Sequence, residues 1–329
     1  MLGSRSFGCA RLRSSPTAAA SVHLVTHGRG AGHQPAATHL LTAAELTLLG
    51  RLDLAYRRSR NGLYAGERRS PRAARSPEFS DFRPYVPGDD FRQIDWRAYA
   101  RLERLTLRLY VAEEEACLNV VLDASESMAL GTPPKWQAAR RLAAALSFLG
   151  LAAMDRVTLG TLDGRSLPPL RGRDGVGRIW QFLEGLAPVG EAGPADLARQ
   201  RWLRPGMTVV ISDFLTADDD GVAADWAPAL AALGGRRQEL VLWQVLAPDE
   251  ERPQITGDLK LVDPETGRDR EITITPAVVA DYERALAALR DRLSRASEAT
   301  GGRFLSSDSG LDLEGTMLAG LRVGVVKRG

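Results

Sequence analysis

Histidine is missing from this chain of 329 residues beyond position 39; His23, His27, His33 and His39 are all it has. That absence excludes a Ser-His-Asp hydrolase, a Cys-His nucleophile pair and the usual histidine-bound zinc site from everything downstream. Cysteine is nearly missing too. Cys9 and Cys117 cannot staple a chain of this length, and such usage fits a reducing compartment, so a cytoplasmic protein is expected. No apolar run reaches the length of a membrane span; the best candidate, Leu142 to Met154, reads as a core helix. Lysine is scarce, with only Lys135, Lys260 and Lys327 among 43 basic residues. Whatever the folded part binds has to be held by oxygen ligands, arginines or backbone.

What is present is an ordinary globular balance, 44% hydrophobic and 26% charged, enough for one large or two modest domains. The net charge of +2 is unevenly spread. Residues 1–44 carry four arginines and no acid, and residues 51–108 carry fourteen arginines against eight acids. A basic front half raises nucleic-acid binding through residues 51–108 as an alternative, although the interspersed acids break up the stripe.

Residues 1–40 are rich in Ser, Ala, Gly and Arg without an apolar period, and read as a disordered tail with the composition of a transit peptide. Thr42-Ala43-Ala44-Glu45 has the form of a capping box, and Leu46, Leu49, Leu52 and Leu54 predict a helix to about Arg58. Gly62, Gly66, Pro71 and Pro77 mark an irregular loop, and Thr106 to Glu113 a strand. From residue 116 onward, short apolar strands alternate with amphipathic helices. Leu118 to Leu122, Val157 to Leu162, Met207 to Ile211 and Glu239 to Leu246 are the strands, and Trp136 to Leu149, Ile179 to Leu186, Trp226 to Leu233 and Pro276 to Thr300 the helices. Gly301-Gly302 ends the last helix, and Phe304-Leu305 starts a final strand. This pattern predicts an α/β fold, a doubly wound and mainly parallel sheet over residues 116–325, preceded by a smaller helix-plus-strand segment at 41–115. Ile255 to Ile274 reads as a hairpin at the edge of that sheet.

Two of the strands end on an acid. Asp123 opens Asp123-Ala124-Ser125-Glu126-Ser127, and Asp213 follows Ile211-Ser212. Ligands of open α/β sheets bind outside the carboxyl ends of the strands. A carboxylate with hydroxyls two and four residues later can converge on a hard cation such as magnesium or manganese. Equally, Ser125 and Ser127 can cap the following helix while Asp123 anchors its backbone. Spacing alone leaves both open.

Asp123-x-Ser125-x-Ser127, followed by Met128, resembles the metal-ion-dependent adhesion site of von Willebrand factor type A domains, with Asp213 in the place of that family's second acid and Thr300-Gly301-Gly302-Arg303-Phe304 like its last turn. The resemblance implies magnesium held by Asp123, Ser125, Ser127 and Asp213. It departs at Ala192-Gly193-Pro194-Ala195-Asp196-Leu197, where proline or alanine replaces a threonine ligand. Asp196 lies close by as a substitute oxygen donor, though the spacing does not point to it. Upstream, the run from Glu78 to Trp96 is similar to the signature of the domain of unknown function 58 family, which precedes a type A-like domain. Within it, Arg83, Tyr85, Asp89, Asp90 and Arg92 are candidate binding residues, while Asp95 and Trp96 are expected to brace the segment.

The family resemblance implies a non-enzymatic protein-binding or scaffold module, accessory to a MoxR-type AAA+ ATPase in the assembly or maturation of an unknown client protein. The chain has no nucleotide-binding P-loop of its own. The competing reading is a magnesium-dependent enzyme using Asp123 and Asp213. Against it, the sequence shows no histidine beyond position 39, no phosphate-cradling glycine loop and no positioned lysine near the two acids.

Overall fold

The computed structural model describes residues 11–13, 40–55, 63–64, 78–89, 91, 94–111, 116–215, 225–235, 238–254, 257–262 and 269–329. Within the stretch expected to be a disordered tail, Arg11–Arg13 form a short strand, β1, and the rest of residues 1–39 lies outside the described residues. The capping box forms as the sequence predicts: the Thr42 amide donates to Glu45 Oε2 at 2.8 Å, and the Glu45 amide to Thr42 Oγ1 at 3.3 Å. Helix α1 (Ala43–Leu49) ends at Gly50 instead of running on to Arg58. Leu52 and Leu54 alternate in a strand, β2 (Leu52–Leu54), which pairs antiparallel with Val326–Arg328. A distant partner strand overrides the local helical spacing.

Residues 57–116 make a compact unit of their own. It contains β3 (Leu63–Tyr64), β4 (Glu78–Pro84), α2 (Trp96–Leu102) and β5 (Thr106–Val111). The three strands lie antiparallel in the order β3-β5-β4. Asp95 caps α2, its Oδ1 accepting from the amides of Arg97 and Ala98 at 3.0 and 3.2 Å.

The remainder is the α/β unit, and α1 and β2 belong to it rather than to the signature region. Leu40, Leu41, Leu49 and Leu54 are buried in its core. Its elements follow as β6 (Cys117–Leu122), α3 (Lys135–Ala152), β7 (Arg156–Thr161), α4 (Gly175–Gly185), α5 (Pro194–Arg199), β8 (Gly206–Ser212), α6 (Ala227–Gly234) and β9 (Gln238–Leu246). Then come α7 (Pro248–Glu251), β10 (Gly257–Val262), β11 (Asp269–Ile274), α8 (Pro276–Glu298), β12 (Arg303–Asp308), α9 (Leu313–Val323) and β13 (Val326–Arg328). The central sheet has the order β12-β9-β8-β6-β7, and every pairing in it is parallel.

Both faces of this sheet are covered, which is why its strands are continuous apolar runs. Alternation along β6 sends Val120 to one core with α3, α4 and α9, and Val121 to the other with α5, α6 and α8. The doubly wound α/β architecture read from the sequence is the one observed. Toward the amino ends of the strands a neutral buried network closes the sheet. Asn119 Nδ2 donates to Thr208 Oγ1 at 3.0 Å, and Thr208 Oγ1 to Gln238 Oε1 at 2.6 Å.

The hairpin expected at the sheet edge is not part of this sheet. β10 pairs with β11 on one side and with β1 on the other in a separate antiparallel sheet, and β12 takes the place beside β9.

Candidate functional site

β6 and β8 are neighbours in register, Leu122 opposite Ile211, so the residues that follow each strand emerge at one end of the sheet. Asp123 and Asp213 therefore share that end, as parallel strands require. The Asp123 amide donates to Ile211 O at 2.8 Å, extending the ladder by one residue. Its Oδ1 accepts from the Ser125 amide at 2.9 Å, and its Oδ2 from Ser212 Oγ at 2.5 Å. Ser125 Oγ and Ser127 Oγ lie 3.0 Å from one another. The Asp123 carboxyl is pushed up to about 6, by burial first and then by the charge of Asp213; the hydrogen bonds from Ser212 and Ser125 work the other way.

Asp213 is aimed by an unusual turn. Phe214, at φ 58°, holds a backbone conformation that bulky residues seldom adopt. It is kept there by burial edge-on against Trp226, with ring centroids 5.0 Å apart, and by a bond from its amide to Ser212 Oγ. Asp213 Oδ1 accepts from the Leu215 amide at 3.0 Å, and its carbonyl from Gln244 Nε2 at 2.9 Å.

The other carboxylate oxygen of Asp213 meets a lysine. Lys135 Nζ lies 2.7 Å from Asp213 Oδ2 and 2.6 Å from Glu250 Oε1, and the side chain is 0% exposed. Sequence reading missed this residue and expected no lysine near the acids. One signal was available: a lysine at the start of a core helix in a chain whose basic residues are otherwise almost all arginine. Glu250 is fixed in turn, since its Oε2 accepts from the Ala247 amide at 3.0 Å and its carbonyl from Tyr282 Oη at 2.7 Å. Beside them Gln244 Oε1 accepts from Arg290, which grips Glu251 through two bonds of 2.9 and 2.6 Å.

The four residues expected to hold magnesium thus converge on one strand end, yet their oxygens are directed at protein donors. Among the described residues no three acid, histidine or cysteine side chains gather around a common point. A divalent ion on Asp213 would sit against a buried ammonium of like sign. The donor set does not fit a metal there. Asp196 accepts from the Gly193 amide at 3.0 Å at the amino end of α5. Farther along the strand ends a groove of about 940 Å³ runs between α7 and α9, with Asp249, Arg252, Asp308 and Arg322 on its walls.

In the unit of residues 57–116, Arg83 and Asp89 come together as a bidentate pair with both bonds at 2.7 Å. Asp89 Oδ2 also accepts from the Val86 amide at 2.9 Å, and Gly88, at φ 110°, closes the turn. The guanidinium and that amide hold the Asp89 carboxyl below its usual range. Tyr85 is half-buried, and its amide donates to Leu105 O at 2.9 Å. Asp90 and Arg92 lie outside the described residues. Trp96 is the first residue of α2. It is 58% exposed and edge-on to Tyr99.

The family profile for proteins of unknown function DUF58 matches residues 81–292. The chain belongs to the DUF58 family. Proteins of Mycobacterium bovis and Mycobacterium tuberculosis are each 32% identical to this DUF58 protein over 301 residues, covering 88% of it and 90% of the relative. Among solved structures, the conserved hypothetical protein BatB from Bacteroides thetaiotaomicron overlaps 56% of this chain and 99% of its own, at 15% identity and a TM-score of 0.33. An aerotolerance-related membrane protein from Bacteroides fragilis overlaps 63% of this chain and 98% of its own, at 17% identity and a TM-score of 0.38. The parallel sheet of the DUF58 chain has the strand order β12-β9-β8-β6-β7, with Asp123 just past β6. No helix among the described residues of the DUF58 chain is long and apolar enough to cross a membrane.

Proposed function

We propose that this DUF58 protein is a non-enzymatic protein-binding module whose docking face is carried by its signature turn and helix α2. The supporting observation is where its large apolar side chains are left in solvent. Val86, Phe91, Trp96, Tyr99, Leu102 and Leu105 are all exposed within twenty residues of sequence, Phe91 at 63% and Leu102 at 66%. Clustered exposed aromatic and aliphatic groups mark interaction surfaces, and aromatic residues supply most hot spots of protein interfaces. The Arg83–Asp89 clamp gives this surface a fixed turn, so little ordering entropy opposes docking.

The partner class goes with the family resemblance: a MoxR-type AAA+ ATPase, with the present chain as its accessory in assembly or maturation of a client protein in the cytoplasm. Supporting a non-enzymatic role, the strand-end acids are already engaged, Asp123 by Ser212 and Asp213 by Lys135.

The experiment is retention of a purified MoxR-type ATPase on the immobilised chain, compared with Trp96→Ala and Leu102→Ser variants. Each variant is expected to weaken retention at least tenfold while leaving the melting temperature unchanged. Equal retention by wild type and both variants would remove this surface from the interaction.

A further inference from the structure

We propose that the ammonium of Lys135 is a built-in replacement for the divalent cation of type A-like sites. Asp213 and Glu250 share an internal counter-charge supplied by the chain itself, and this end of the sheet operates without metal. The inference stands independently of the partner's identity.

Three observations converge on it. The first is position. Asp213 follows β8 and Glu250 lies in α7, just past β9, so the two carboxylates approach from the ends of adjacent strands. They meet on a single nitrogen, at 2.7 and 2.6 Å, in a place closed to solvent. Carboxylates brought together out of water need a counter-charge, supplied either by a bound cation or by a side chain.

The second is cost. Lys135 is the first residue of α3, where the positive end of the helix dipole disfavours a cation. Burying its charge adds a desolvation penalty. Neither the helix nor the core gains from a lysine at that position, so the two acids are the reason for it.

The third is chemical type. Only three of 43 basic residues are lysine. An arginine at this site would bring a planar fork of donors into a space shaped for a point charge. An ammonium is compact and directs its protons tetrahedrally, which is the nearest a side chain comes to a small metal ion. Asp123, meanwhile, is turned to Ser212 Oγ and the Ser125 amide, and Ser125 and Ser127 to one another. The loop that resembles an adhesion site serves here as a hydrogen-bonded end to β6. A partner's carboxylate finds no metal coordination position to complete.

The test uses the full chain with manganese as the probe. Manganese binding is followed by electron paramagnetic resonance, and thermal unfolding is compared in millimolar manganese, millimolar magnesium and chelator. Wild type is expected to show no saturable manganese binding and the same melting temperature in all three. Lys135→Ala, which vacates space between Asp213 and Glu250, is expected to bind manganese and to melt higher in its presence. A chelator-sensitive rise in wild type that Asp123→Ala abolishes would overturn the proposal, as would a folded Lys135→Ala that binds no manganese. Should Lys135→Ala fail to fold, Lys135→Met is compared in the wild-type and Asp213→Asn backgrounds. A much smaller loss of melting temperature in the second background supports charge replacement, and equal losses refute it.

Discussion

Lys135 Nζ and Asp213 Oδ2 stand 2.7 Å apart where solvent does not reach, tying the first residue of a helix to the residue just past a strand. Glu250 completes the group from a third element. Removing one member of such a buried set leaves charge uncompensated, which costs about 3–5 kcal/mol. Lys135→Ala is therefore expected to lower the stability of the α/β unit by that amount in urea unfolding. Arg284, paired with Asp281 on the exposed face of α8, provides the contrast. Arg284→Ala is expected to change stability by less than about 0.5 kcal/mol.

Asp155 gives a pH dependence of definite sign. Its carboxyl is pushed up to about 6, by burial first and then by the charge of Asp53, with Arg171 opposing. Its Oδ2 is buried without a hydrogen-bond partner. A carboxyl raised in the folded state binds its proton more tightly there than in the unfolded chain. Its favourable contribution is full below the ordinary aspartate range and is lost as pH rises through 6. Asp155→Asn is expected to raise the melting temperature by a few degrees at pH 8, roughly 1 kcal/mol, and to match wild type at pH 4.

Gly302 is expected to accept no side chain. A Cβ there would lie 1.9 Å from the Leu240 carbonyl oxygen, inside the turn by which α8 enters β12. Gly302→Ala forces β12 away from β9 and is expected to cost on the order of 2 kcal/mol or more. Gly177 of α4 has open space at the same test, and Gly177→Ala is expected to be neutral or to stabilise. Differential scanning calorimetry of the two variants separates the cases.

The Arg83–Asp89 pair should act on recognition. It is partly open to solvent and organises a turn rather than a core. Arg83→Lys keeps the charge but loses the two-pronged grip, and is expected to weaken ATPase retention severalfold without moving the melting temperature. Parallel loss of both would recast the turn as a structural element.

The sheet was legible in the sequence because its strands are buried on both faces. Leu118 to Leu122 and Met207 to Ile211 cannot be mistaken for half-exposed segments, and each ends on an acid. The capping box at Thr42 was legible because all its parts lie within four residues. What stayed hidden depends on distance along the chain. Leu52 and Leu54 fit a helix and a strand equally, and their partner at Val326 decided the matter. β4 and α2 went unread because in the signature run neither the two-residue nor the helical period dominates. α9 went unread as well, though its Asp312 cap and Gly324 stop were there to be seen. The lysine at the acids was least accessible, because no local spacing relates positions 135, 213 and 250. The sequence pointed to the strand end where Asp123 and Asp213 emerge and gave no sign of the lysine that meets Asp213 there.

The pairing of β2 with β13 has a consequence for how the protein is made. Roughly 270 residues separate the two strands, and a whole compact unit, residues 57–116, is inserted after β2. On the ribosome, the insert can leave the exit tunnel and fold while Leu52–Leu54 still waits for its partner. The pairing of β2 closes only when Val326–Arg328 has been translated, so this slow, long-range step comes well after the insert is made. Until then the backbone edge of Leu52–Leu54 that receives β13 stands unpaired, open to chaperones and to aggregation alike.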